Sequence, residues 1–177
     1  PFLDGSFDFI VKKNQAENKY NLHATLESAR GCPFGCAFCE IGDKYYQKIK
    51  TSYSKTKKEI DWISNNKIEY VTDANSNYGI LFEDDYDLAK YVCQKKAKTG
   101  YPKAYRVTWA KGQADKVLKI AKLLEKYDLQ KGMTIALQSM SQKVLDIIKR
   151  KNVSEGKLQD FISKYENETS GYENKLI

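Results

Sequence analysis

The sequence predicts an α/β protein on a parallel sheet: a partial (β/α) TIM-like barrel, truncated after about four βα units. Three observations carry this. Strand-like segments alternate with amphipathic helical ones along the chain. Strand starts fall roughly 30 to 45 residues apart, the size of a βαβ unit. The 177 residues are enough for one domain with a real core. Repeated βα units imply right-handed crossovers and parallel strands. Four units and the start of a fifth do not close an eight-stranded barrel.

The elements follow in order. Residues 1–20 read as a lead-in from something upstream, and a chain that begins with Pro1 is expected to be a piece of a longer one. The first strand is expected over His23–Ala29. Thr56 and Glu59 have capping-box spacing ahead of Ile60 and Ile63, which predicts a helix start. "KIEYVTDA", Lys67–Ala74, is the second strand. Leu88, Ala89, Val92 and Cys93 share one helix face, which Gly100 and Pro102 close. "AYRVTWA", Ala104–Ala110, is the third strand. Ala114, Val117, Leu118, Ala121 and Leu124 form an apolar stripe. In "MTIALQS", Met133–Ser139, apolar residues alternate with smaller or polar ones, which predicts a fourth strand. Val144, Leu145 and Ile148 mark another helix, and Leu158, Phe161, Ile162 and Tyr165 a last one opened by Ser154. "ENKLI" reads as the start of a fifth strand.

Composition narrows the function classes. The chain is 41% hydrophobic and 30% charged, as in soluble globular proteins. No apolar run is long enough to span a bilayer, and "PFLDGSFDFIVKK" is not a signal peptide. A cytoplasmic location is expected. Net charge is +7, which invites an anionic partner. Yet Arg30, Arg106 and Arg150 are its only arginines, and arginine is what bidentate phosphate and base contacts use. The lysines read better as solvated helix faces, so nucleic acid is not the expected partner.

"RGCPFGCAFC", residues 30–39, places Cys32, Cys36 and Cys39 directly after the first strand, the end where α/β sheets place ligands. A tight cysteine cluster with no sign of secretion points to metal rather than disulfides. Structural zinc wants four ligands. Only His23, at the far end of the strand, and Cys93 remain. His23 reads as a packed or surface residue, and Cys93 as a small buried hydrophobe. A four-iron cluster suits three thiolates better, since it leaves one iron open for a substrate or cofactor. A zinc-stabilised binding module is the alternative from another class.

Cys-x-x-x-Cys-x-x-Cys, with aromatic Phe38 before the last cysteine, resembles the radical S-adenosylmethionine (SAM) superfamily. The resemblance implies a 4Fe-4S cluster on Cys32, Cys36 and Cys39, whose open iron takes the amino and carboxylate groups of SAM. It implies reductive SAM cleavage to a 5′-deoxyadenosyl radical, with Phe38 against the adenine. "ESARGCPFGCAFCEIGDKYY" resembles the members with an upstream cobalamin-binding domain, and "PFLDGSFD" resembles the joint between the two domains. Cobalamin would then be bound outside this chain. Residues 1–20 would be the lead-in and 21–177 the radical SAM core, incomplete at its C-terminus.

Further segments continue the likeness. "DANSNYG" resembles an Asp-Ala-Asn-aromatic-Gly segment with Ser76 and Asn77 inserted. Asp73, Ala74 and Asn75 would meet the SAM amino group, against the simpler reading of turn chemistry. "WAKG" resembles a cleft-facing segment, which puts Thr108 and Lys111 there. "ALQSMSQKVLDIIKRKN" resembles a Gln-Ser…Leu…Arg pattern. It implies Gln138 and Ser139 on the ribose or methionine part of SAM, with helix capping as the alternative. Arg150 would meet the SAM carboxylate or brace the cleft. Glu27 and Arg30 would brace the loop. No residue is assigned as a catalytic acid or base. The expected function is a radical SAM enzyme of transferase or oxidoreductase type. Its work would be cobalamin-dependent methyl transfer or another radical modification, fed by an electron donor such as flavodoxin or ferredoxin. An RNA-modifying methylthiotransferase is the alternative within the superfamily.

Overall fold

The computed structural model describes residues 1–111, 113–134, 136–152 and 155–168. In chain order the elements are α1 (Asp8–Glu17), β1 (His23–Leu26), β2 (Ala29–Arg30), β3 (Lys50–Thr51), α2 (Tyr53–Asn65) and β4 (Tyr70–Asp73). They continue with α3 (Phe82–Thr99), β5 (Ala104–Arg106), α4 (Ala114–Lys126), α5 (Gln142–Ile147) and α6 (Glu155–Glu168).

Period-two burial builds the sheet. Ala24 and Leu26 of β1, Val71 of β4 and Tyr105 of β5 turn to one face and are buried. His23, Thr25 and Arg106 turn to the other and are exposed. β1, β4 and β5 lie side by side in parallel, with Thr25 opposite Thr72 and Thr72 opposite Arg106. The apolar face is covered by α2, α3 and α4, packed in sequence against one another. Ile60, Ile63, Leu88, Val92, Ile120 and Leu124 fill the interior between the layers. Each such side chain contributes roughly 1.5–3 kcal/mol relative to exposure. α1 docks below them through Val11. Just ahead of α1, the Phe2 ring lies 5.2 Å from Phe7 and 5.4 Å from Trp62.

α3 carries opposite charge at its two ends. Glu83, Asp84 and Asp85 occupy its first turn and Lys96 and Lys98 its last, which complements the helix dipole. Gly100, at φ +79°, supplies the left-handed cap that the sequence predicts.

Several expectations need correction. The first strand ends at Leu26, and Ala29–Arg30 joins Lys50–Thr51 in a separate antiparallel ribbon. The second and third strands are shorter than expected, although a bridge from Tyr78 to Trp109 prolongs the third. Thr56 does not cap α2. The helix starts at Tyr53, and Thr56 Oγ1 donates back to the Ser52 carbonyl at 3.1 Å.

The described residues of Met133–Ser139 form no strand. Tyr105 N–H still donates to the Leu129 carbonyl at 2.7 Å, so the chain begins to run beside β5. It then parts from it. The Arg150 guanidinium donates to the Ala136 carbonyl. Asn152 Nδ2 donates to the Leu137 and Ser139 carbonyls at 2.7 and 2.9 Å. Side chains have taken the acceptors that a neighbouring strand would use, and Gln138 sits at φ +67°. The sheet stays open at β5. The expected fifth strand and Ser154 lie outside the described residues.

Candidate functional site

β2 and β3 clamp the base of the cysteine loop. Cys32 N–H donates to the Tyr46 carbonyl at 2.8 Å. Gly31 lies at φ +112°, and a Cβ there would stand 2.7 Å from the Tyr46 and Lys48 carbonyls. Only glycine fits that approach without moving the backbone. Glu27 and Arg30 form the bracing pair read from the sequence, with bonds of 2.8 and 2.6 Å. At the far side Ala37 N–H donates to the Ile148 carbonyl at 2.9 Å, which ties the loop to the end of α5.

All four cysteines are free thiols. Cys32 and Cys36 are buried and Cys39 is half-buried. His23 Nε2 lies 2.8 Å from Thr72 Oγ1 on the polar face of the sheet. Cys93 is buried in the core, 3.7 Å from the Leu123 carbonyl, and burial pushes its thiol up to about 12. Neither completes a tetrahedral set with the loop. Among the described residues, no three His, Cys, Asp or Glu side chains come together to hold a single metal ion. Three thiols on one short loop, without a fourth protein ligand, are the donor types that a cluster with one open iron calls for, and in that chemical sense the residues are compatible with it.

A cleft of about 1030 Å³ opens beside this loop, in the space where the Met133–Ser139 segment parts from β5. That volume matches the larger small-molecule sites. Phe38, Thr108, Lys111, Gln138 and Arg150 all line it. The Phe38 ring is 54% exposed toward solvent and available to a ligand. The Lys111 ammonium lies 5.7 Å from the Phe34 ring, joining the third-strand segment to the cysteine loop. Arg150 is buried, and two of its donor groups are used on Ala136 and Asn152, which is the bracing arrangement.

Asp73, Ala74, Asn75 and Ser139 are not among the residues that line the cleft. Ser139 Oγ accepts from Ser141 N–H at 3.1 Å, at the start of α5. Asp73 is fully buried. Its Oδ1 accepts from the Ser28 and Asn75 N–H groups at 3.1 and 3.0 Å, and its Oδ2 from the Tyr105 hydroxyl at 2.8 Å. Asn75 is buried beside it, with Nδ2 at 3.4 Å from Ser28 Oγ and 3.3 Å from Asp85 Oδ1. Ala74 is exposed, and its N–H donates to the Leu26 carbonyl. Of this segment, Ser76 reaches the cleft.

Sequence reasoning missed Asp85 and the tyrosines around it. Asp85 is fully buried, and burial raises its carboxyl to about 6. The Tyr53 hydroxyl donates to it at 2.7 Å. Tyr78 and Tyr105 are also fully buried, and desolvation holds their phenols protonated, far above the ordinary value. A first-turn acid on an amphipathic helix carries no sequence signal that it will face inward.

No protein-family model matches the chain. It is 33% identical over 154 residues to 2-(S-pantetheinyl)-carbapenam-3-carboxylate methyltransferase of Streptantibioticus cattleyicolor. It is 31% identical over 154 residues to the cobalamin-dependent radical SAM methyltransferase TokK of Streptomyces tokunonensis. Each match takes in 86% of this chain, and the chain spans 22% of the length of either relative. Among solved structures, its fold is similar to that of the radical SAM methyltransferase TsrM from Kitasatospora setae. The TM-score is 0.60 at 10% identity, over 88% of this chain and 30% of that one.

Proposed function

We propose, from its similarity to a cobalamin-dependent radical SAM methyltransferase and a second methyltransferase, that this chain belongs to the radical SAM superfamily and is the part of such an enzyme that holds a 4Fe-4S cluster and SAM and serves a methyl transfer. One observation carries the reading: Phe38 of the three-thiol loop lines a cleft of about 1030 Å³, although the cysteines themselves are not among the residues that line it.

Cys32, Cys36 and Cys39 would hold the cluster. When bound, it would supply the single-electron reduction of SAM on which radical chemistry depends. The chain's own residues bind and orient. Phe38 offers a ring face to the adenine. Thr108 and Gln138 offer hydroxyl and amide groups to the ribose or the methionine part. Arg150 places a fixed, buried cation in the cleft lining while it braces the chain at Ala136. Trp109, Leu129 and Phe161 make walls that keep water from the reacting atoms. Asp73, Ala74, Asn75 and Ser139 would serve SAM by shaping the loops around it. The open sheet is one arc of a partial barrel in this reading, and β5 is the edge that the cleft exposes. Among the described residues no helix is long and apolar enough to cross a membrane. A reducing cytoplasm would keep these cysteines free, and reduction of SAM would call for an electron donor such as flavodoxin or ferredoxin. Cobalamin would come from outside the residues described.

Anaerobic reconstitution with iron and sulfide tests the proposal. About four irons per chain are expected, lost in Cys36→Ala, together with reductant-dependent turnover of SAM above that control. A colourless chain that takes up one zinc and leaves SAM intact would overturn it.

A further inference from the structure

We propose that Asp85 is a positioning residue for the cleft: its buried carboxylate holds the β4–α3 loop in the conformation that lines the cleft, and so sets the affinity for the ligand bound there. The identity of that ligand rests on the SAM reading above. The role in holding the loop does not.

Asp85 lies in the first turn of α3, yet it differs from its neighbours. Glu83 and Asp84 are exposed and suffice to complement the helix dipole. Asp85 is fully buried. A buried carboxylate is costly unless donors surround it. Four do. Tyr53 Oη donates to Oδ1 at 2.7 Å and Asn75 Nδ2 at 3.3 Å. The Gly79 and Leu81 N–H groups donate to Oδ2 at 2.7 and 3.3 Å. The Asp85 carbonyl also accepts from the Tyr78 hydroxyl at 2.9 Å. One residue therefore binds Asn75, Tyr78, Gly79 and Leu81, four of the eight residues between β4 and α3.

The loop is held besides by the backbone pairing of Tyr78 and by Asn77 N–H, which donates to Asn75 Oδ1 at 3.0 Å. Asn77 is buried, but among the described residues neither amide atom of its side chain has a hydrogen-bond partner. Gly79 stands at φ +98°, and a Cβ there would meet Val117 at 3.0 Å. The loop is thus pressed against α4 in a conformation that needs an anchor. What it carries matters to the cleft. Ser76 lines it directly. Tyr78 N–H donates to the Thr108 carbonyl at 2.8 Å, and Tyr78 O accepts from Ala110 N–H at 2.9 Å. Those bonds fix the segment that carries Thr108 and Lys111. Through Asn75 the same carboxylate reaches Ser28, at the base of the cysteine loop. An amide in its place would turn a donor toward one pair of donors and leave an N–H unpaired.

The test compares the intact chain with Asp85→Asn, with the milder Tyr53→Phe and with the packing variant Ile63→Ala. Two quantities are read: amide hydrogen exchange at Asn77, Gly79 and Leu81 without ligand, and the Kd for SAM after anaerobic reconstitution. Asp85→Asn is expected to speed exchange at these amides and raise the Kd at least tenfold, the change that about 1.4 kcal/mol represents. Iron content should be unchanged. Tyr53→Phe should move both in the same direction by less. Ile63→Ala should lower thermal stability with the Kd unmoved. Unchanged exchange in both loop variants would overturn the proposal. So would faster exchange with an unchanged Kd, or a Kd that follows stability in Ile63→Ala. If the unmodified chain binds no SAM, the functional reading fails, and the exchange rates alone decide the role of Asp85.

Discussion

Single residues set two opposing demands at this site. Burial raises the Asp85 carboxyl from 3.8 to about 6. The groups facing it are Tyr53 from α2, Asp73 from β4 and Tyr78 from the loop. Both phenols are held protonated, Tyr53 by burial and by Asp85 itself. With a raised folded value, the native state binds a proton that the unfolded chain has not yet taken up. That contribution is full below the unfolded value and is lost as pH rises through about 6. Urea unfolding should therefore show a higher stability at pH 5 than at pH 7, measured against Asp85→Asn, which lacks the effect. A difference of the same size in the variant would refute the assignment. The ionised form that anchors the loop is the less stable one, a trade of stability for a positioned site. Cysteine roles separate as cleanly. Cys93→Ala should keep all reconstituted iron and cost on the order of 1 kcal/mol of stability, whereas Cys36→Ala should lose the iron. Loss of iron in Cys93→Ala would place that thiol in the cluster set.

Elements explain why the cleft exists. The Met133–Ser139 segment has strand-like alternation, but two side chains from the 150–152 turn capture its carbonyls. The space between that segment and β5 is the cleft. Asn152→Ala removes two of those donors and should destabilise the wall by about 1–3 kcal/mol. It should also speed amide exchange across 136–141 while the exchange of α3 stays unchanged. Equal acceleration in both would show a global loss instead. Spacing of apolar residues is local information, which is why α3 and α4 were legible with their buried faces. The capture of a strand's acceptors by residues some 13 to 15 positions away is not local, and periodicity cannot register it. The same limit applies at α2, where Thr56 looks like a cap but sits inside a helix that starts earlier.

At the scale of the molecule, helices cover one face of the parallel sheet while the other keeps His23, Thr25 and Arg106 exposed beside the loop ends. Ligands in such sheets gather at the carboxyl ends of the strands, and the cysteine loop, Ser76 and Thr108 all follow strand ends here. The α/β class, the apolar faces of the helices and the three-cysteine loop after the first strand were readable along the chain. The sequence also carried the radical SAM likeness, because motif spacing and hydrophobic period are written along a few consecutive residues. Tertiary structure alone decided that Asp73 and Asn75 turn inward rather than into the cleft, that Asp85 becomes the anchor of their loop, and that the sheet stays open at β5. Those outcomes depend on which donors the folded chain brings around a buried oxygen. Desolvation makes each such pairing obligatory, and only the path of the whole chain says which partners are within reach.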